Sequence, residues 1–269
     1  MLLLHTSDAE LFYKTEGKGP DVVLLHPFPS CHEFWIPVQD KLAAKHRLII
    51  PDLRGLGESG AGDGSATMQK HAEDLVRLCD ELKVGKAIFI GCSIGGYILF
   101  EFWRRFRERM AGLVLANTKA SADNAEARAA RLQVAEQVMQ QGPEQYIDGM
   151  LPKLLGEVTQ RNRPEVVEKA KRTMMRSTAA GIAAVQRGMA ERPDSTATLS
   201  KISIPTLILG GAADVLIPRE ELEKMRAGIR NSTLQIVPKA GHYAAFEQPE
   251  EVAILLKRFL EQAAKASRL

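Results

Sequence analysis

Cysteine is scarce in this 269-residue chain: Cys31, Cys79 and Cys92 are too few to pair completely, and none has the close C-x-x-C spacing of a metal motif. Reducing, cytoplasmic surroundings and no metal site are therefore expected. Long apolar runs are also missing. No stretch reaches the roughly eighteen residues that a membrane span needs, and Met1-Leu2-Leu3-Leu4 is stopped by His5, too short and without the basic start of a secretory leader. Charge of one sign is lacking too, since 36 Lys and Arg oppose 33 Asp and Glu for a net +3. With the basic residues scattered among acidic ones, neither nucleic acid nor a membrane is expected as partner, and no protein partner is indicated. Glycine (21) and proline (13) stay well below low-complexity levels, while 45% hydrophobic residues suffice for a sizeable core.

Short apolar runs are present instead, at residues 22–25, 48–50, 87–90, 113–116, 206–209 and 234–237. Most are continuous, not alternating, as in a parallel sheet covered by helices on both faces. Helical spacing between them, clearest over residues 71–82, gives the order strand, helix, strand, helix of a doubly wound α/β fold. Residues 10–14 add an antiparallel strand, turned by Gly17-Lys18-Gly19-Pro20. Between 119 and 199 the alternation stops, and helical stretches at 124–141, 143–155, 164–176 and 179–191 follow one another. The expected organisation is a core of residues 1–118 and 200–269 with a helical cap of residues 119–199 inserted in it. Methionines enrich this insertion, and Met150 and Met175 are its candidate substrate-pocket residues.

Ile90-Gly91-Cys92-Ser93-Ile94-Gly95-Gly96-Tyr97 carries G-x-S-x-G where a strand gives way to a helix. Glycines there permit a sharp turn that lifts Ser93 clear of the sheet, and the helix N-terminus favours negative charge beside it. A serine hydroxyl needs a base, and the base needs a group to orient it. Asp214 follows the strand at 206–209 through Gly210-Gly211-Ala212-Ala213, and His242 follows the strand at 234–237 through Pro238-Lys239-Ala240-Gly241. Carboxyl ends of strands are where open α/β sheets place their sites. Either residue alone would pass for an ordinary loop position; the order Ser93, Asp214, His242 makes them candidates for a catalytic triad. In His26-Pro27-Phe28-Pro29-Ser30 the prolines have no N–H to give, so Phe28 is the candidate oxyanion donor of that loop, with Ile94 as the second. Arg54 is expected to bridge loops near the site, Cys92 to pack beneath the turn, and His26 to support its own loop. The basic run Arg104-Arg105-Phe106-Arg107-Glu108-Arg109 reads as a solvated helix end. No residue is marked as a pocket cation, and no cofactor motif is present.

With these landmarks in order, together with Asp52-Leu53-Arg54-Gly55-Leu56-Gly57, nearly the whole chain resembles the α/β-hydrolase superfamily in its lid-bearing serine-hydrolase branch, and within it small bacterial carboxylesterases and 3-oxoadipate enol-lactonases. The resemblance implies an eight-stranded, mostly parallel sheet flanked by helices, with Ser93 as nucleophile, His242 as general base and then acid, and Asp214 as its orienter. Relatives with dehalogenase or epoxide hydrolase activity have aspartate where Ser93 stands, so acyl-enzyme chemistry on a small carboxylic ester is the expected function. Alternatives are an enol-lactone hydrolase and a triad-bearing ligand receptor with little turnover. The usual glycine of the oxyanion loop is replaced by Pro27.

Overall fold

Apolar runs of four to seven residues pair edge to edge so that each backbone N–H finds a carbonyl next door. The computed structural model describes residues 2–266. Its strands are β1 (Leu2–His5), β2 (Glu10–Glu16), β3 (Asp21–Leu25), β4 (Arg47–Pro51), β5 (Ala87–Cys92), β6 (Met110–Ala116), β7 (Thr206–Gly211) and β8 (Ser232–Val237), in the spatial order β1-β2-β4-β3-β5-β6-β7-β8. β1 and β2 are antiparallel additions, and every pairing from β4 to β8 is parallel. The eight-stranded, mostly parallel α/β-hydrolase sheet is thus present.

Residues Leu2–His5, to which the sequence reading assigned no element, form the edge strand β1. Only Leu4 of the four is buried, so neither length nor period marks it as a strand.

Helices α1 (Ile36–Ala43), α2 (Met68–Glu81) and α3 (Ile94–Phe106) connect the first half of the sheet; α10 (Arg219–Gly228), α11 (Ala244–Glu247) and α12 (Pro249–Ala266) complete the second. Both sheet faces are covered. Phe89 of β5 meets Phe102 of α3 with ring centroids 4.9 Å apart, while a Cβ on Gly112 of β6 would lie 3.3 Å from Ala263 of α12. This double burial is why Val22, Val23, Leu24 and Leu25 are all fully inaccessible in one unbroken apolar run.

Between β6 and β7 lie α4 (Ala125–Gln141), α5 (Glu144–Leu154), α6 (Glu157–Asn162), α7 (Pro164–Met174), α8 (Ala179–Ala190) and α9 (Thr196–Leu199). Four match the helical stretches expected there; α6 and α9, of six and four residues, are too short to leave a periodic signal. α8 rests on the core, where the Ala66 N–H donates to Ala184 O at 3.0 Å. Arg104 fastens the other end by donating to Ser195 Oγ and Thr198 Oγ1, and with Arg105 it pairs with Glu101. Arg109 donates to Asp80 and to the carbonyls of Val84 and Gly85, while Arg104, Arg105 and Arg107 are exposed, so the basic run is the solvated helix end expected, with local ties to neighbouring elements. No described helix is long and apolar enough to cross a membrane.

Candidate active site

The strand ends converge. β3, β5, β6, β7 and β8 deliver His26, Ser93, Asn117, Asp214 and His242 just beyond their carboxyl ends, the position at which such sheets collect side chains. β5 ends at Cys92 and α3 starts at Ile94, so Ser93 alone makes the turn, with φ 54° and ψ −113°. An L-residue at positive φ is strained by roughly 1–3 kcal/mol and persists only where its surroundings hold it. Here the Ser93 N–H donates to Ala116 O at 2.9 Å, and Ser93 O accepts from the Gly96 N–H at 2.9 Å and from Thr118 Oγ1 at 2.8 Å. The flanking glycines are steric necessities: a Cβ on Gly91 would sit 2.4 Å from the carbonyl carbon of Gly95, and one on Gly95 2.9 Å from Leu25.

His242 Nδ1 donates to Asp214 Oδ2 at 2.9 Å, with the two side chains 3% and 1% exposed. Asn117 Nδ2 donates to the same oxygen at 2.9 Å, and the N–H groups of Leu216 and Ile217 fill Asp214 Oδ1 at 2.9 and 3.1 Å. Burial disfavours the charge on Asp214, yet the facing His242 ring and the bonds from His242, Asn117 and Leu216 hold its carboxyl below the usual range. An ionised Asp214 fixes the imidazole proton on Nδ1 and leaves Nε2 as the basic nitrogen.

Ser93, Phe28 and His242 line one cavity of about 160 Å³, together with Tyr97, Tyr146 and Met150. Neither the Phe28 nor the Ile94 N–H has an acceptor among the described residues. The Phe28 loop is fixed from behind by His26, whose Nδ1 donates to Pro27 O at 3.0 Å while Nε2 accepts from the Leu53 N–H at 2.9 Å. Total burial pushes His26 down to about 4, which keeps that ring neutral.

Met150 of α5 reaches this cavity. Met175, just past the end of α7, does not line it and packs against the hydrophobic core. Arg54 bridges separate segments, as expected: it forms a fork on Asp74 of α2 at 2.8 and 2.7 Å and reaches Asp8 at 2.8 Å, without entering the cavity wall. Cys92 lies in a small gap beneath the turn with Trp35 and Leu256, and burial raises its thiol well above the ordinary range. Buried Cys31, His32 and Asp52 converge closely enough to suggest metal ligation. Their atoms are otherwise engaged: His32 Nδ1 donates to Asp52 Oδ1 at 2.8 Å, Glu58 N–H fills Asp52 Oδ2 at 2.8 Å, and burial pushes the Cys31 thiol up to about 12.

Several residues escaped the sequence reading. Asn117 is one, and its signal was its position immediately past the strand at 113–116. Glu247 is another; its buried carboxylate accepts from the Gly241 N–H at 2.7 Å and the Gly156 N–H at 2.8 Å. It thereby clips the loop of His242 to the link between α5 and α6, where the two glycine backbones approach so closely that a Cβ on Gly241 would lie 2.5 Å from Gly156 N. The third group is cationic: contrary to expectation, Lys119 and Arg131 line the cavity, beside Asp123.

Residues 20–249 match the family model for the α/β hydrolase fold. The structure is similar to that of a thermophilic esterase from Thermogutta terrifontis, with malate bound, at 41% identity over 97% of this chain and 98% of that one and a TM-score of 0.94. A hydrolase from Pseudomonas aeruginosa follows the same fold at 27% identity, with a TM-score of 0.90 over 96% and 97% of the two chains. In sequence the chain is 28% identical to 3-oxoadipate enol-lactonase 2 of Acinetobacter baylyi, over 95% of its own length and 96% of the relative's. The chain is a hydrolase and belongs to the α/β hydrolase superfamily, among its small bacterial esterases and enol-lactonases.

Proposed function

We propose that the protein cleaves small carboxylic esters through an acyl-enzyme formed on Ser93. The observation that carries this reading is the Asp214–His242 hydrogen bond of 2.9 Å, made by a histidine that shares its cavity with a serine held at φ 54°. In the forward direction Ser93 Oγ attacks the ester carbonyl while His242 Nε2 takes its proton. The tetrahedral oxygen gains negative charge, for which the N–H groups of Phe28 and Ile94 are the donors. Collapse breaks the C–O bond to the alcohol, which leaves with the proton from His242. A water molecule, deprotonated by the same nitrogen, then attacks the acyl carbon and restores Ser93. Asp214 holds the ring and balances its transient positive charge, so it need not be protonated itself. Residues 119–199 act as a cap over this chemistry, with Met150 as a pocket residue. Three buried, unpaired thiols suit a reducing cytoplasm.

Hydrolysis of a lactone uses the same steps with the leaving alcohol still tethered, and the likeness to a 3-oxoadipate enol-lactonase favours it as a second reading. Ser93→Ala tests the shared chemistry. The variant should fold normally and lose on the order of 10⁴-fold or more in kcat on short aryl esters. The parent should turn over many times per active site, as a ligand receptor would not. A folded Ser93→Ala protein with near-parental rates would overturn the assignment.

A further inference from the structure

The cavity that holds Ser93 and His242 carries more positive charge than its own carboxylate can balance. Lys119 and Arg131 line it, and Asp123 is the one carboxylate among its lining residues. A third cation, Arg192, stands behind the wall with its guanidinium 4.1 Å from the centre of the Tyr97 ring. Asp123, its side chain 4% exposed, serves all three: Oδ1 accepts from Arg192 at 2.8 Å and faces Lys119 Nζ at 3.5 Å, while Oδ2 accepts from Arg131 Nε at 2.5 Å.

Other carboxylates nearby are committed elsewhere. Asp194 accepts from the N–H groups of Ala122 and Thr196, and Glu221 accepts from Ser121 Oγ and Lys224 Nζ; neither lines the cavity. Asp214 is covered by His242, Asn117 and two backbone N–H groups. Donors remain on the cationic side. Arg131 spends Nε on Asp123 and Nη1 on Gln186 Oε1 and Met189 Sδ, but Nη2 has no partner among the described residues; the Lys119 ammonium has Asp123 as its one described ion pair, at 3.5 Å, with Glu221 acting on it only through its charge. A partly desolvated cation with spare donors is costly by itself and becomes favourable when an anion completes it.

Resting on the serine-hydrolase reading above, we infer that Lys119 and Arg131 form a subsite for an ionised carboxylate on the substrate, remote from the scissile carbonyl. The substrate class is then short half-esters of dicarboxylic acids, of a length that a cavity of about 160 Å³ admits. Tyr97, Tyr146 and Met150 supply the apolar wall along the connecting methylenes.

Monomethyl glutarate and methyl pentanoate test this, because their acyl chains have the same number of carbons and the first ends in a carboxylate where the second ends in a methyl group. The parent should favour the anionic ester in kcat/KM by at least tenfold at low ionic strength. That ratio should fall at least tenfold when Arg131→Gln and Lys119→Gln are combined, and Arg131→Lys alone should preserve more of it than Arg131→Gln alone. Thermal melts establish that each variant is folded, and the parental ratio stands as a test even if one is not. Equal or reversed preference in the parent, or a ratio that the substitutions leave unmoved, would overturn the subsite. Ser93→Ala separates the two claims. If it still hydrolyses both esters, the serine mechanism falls; if it hydrolyses neither while the parent shows no anionic preference, only the carboxylate subsite falls.

Discussion

A single carboxylate, Asp214, gathers four donors, and their geometry decides which nitrogen of His242 carries a proton. Asp214→Asn would put an amide where Nδ1–H needs an acceptor and would favour the wrong tautomer. We expect kcat to fall on the order of 10³–10⁴-fold with the melting temperature little changed, as in other serine triads. Asn117→Ala removes one donor to Asp214 and should cost roughly tenfold in kcat with KM nearly constant. Steady-state kinetics on one aryl ester checks both; a larger loss for Asn117→Ala than for Asp214→Asn would contradict these roles. The three candidate triad residues were legible because each sits at a strand end with turn chemistry around it. Asn117 occupies the same kind of position, but an amide announces no proton transfer. Glu247 and Arg131 were illegible for a different reason: each joins a near partner, Gly241 or Asp123, to one 91 or 55 residues away, Gly156 or Gln186, and no local pattern spans the second separation.

At the scale of elements, helical periodicity identified four of the six inserted helices, and it could not fix their rotation. Met150 and Met175 looked equivalent as pliable apolar residues; the structure turns the first to the cavity and the second to the core. Tyr146 and Met150 also border an outer cleft of about 490 Å³ between α4 and α5, so they form the partition between it and the inner cavity. Met150→Ala should open that partition. The expected result is a shift in kcat/KM toward longer neutral acyl chains, with pocket contacts worth roughly 1–3 kcal/mol per methylene, while acetyl-ester hydrolysis changes much less. A panel from acetyl to octanoyl esters decides it. Unchanged preference with only a lower melting temperature would make Met150 a packing residue. The edge strand β1 escaped the sequence reading for a related reason, because four residues with one buried side chain carry no period.

Across the whole molecule, the sheet was legible because double burial enforces continuous apolar runs, whereas charge balance across the cavity depends on tertiary contacts. Burial also sets how stability responds to pH. His26 and His71 are pushed down to about 4 and about 3 by desolvation, so the unfolded chain binds their protons at higher pH than the folded one does. Stability should therefore fall as pH drops from about 6.5, by on the order of 3 kcal/mol for each ring at pH 4. Denaturant midpoints measured from pH 7 to pH 4 should decline along this window, and His71→Leu, which has no proton to gain, should flatten the decline. A midpoint independent of pH, or an unaltered slope in His71→Leu, would refute the link. The most direct test of the central claim is covalent. Diethyl p-nitrophenyl phosphate transfers its phosphoryl group to an activated serine Oγ with loss of p-nitrophenolate. Mass spectrometry of the inactivated protein should find one diethylphosphoryl group per chain, on the peptide containing Ser93, in proportion to lost esterase activity and absent from Ser93→Ala. Full inactivation with that peptide unlabelled would contradict Ser93 as the nucleophile.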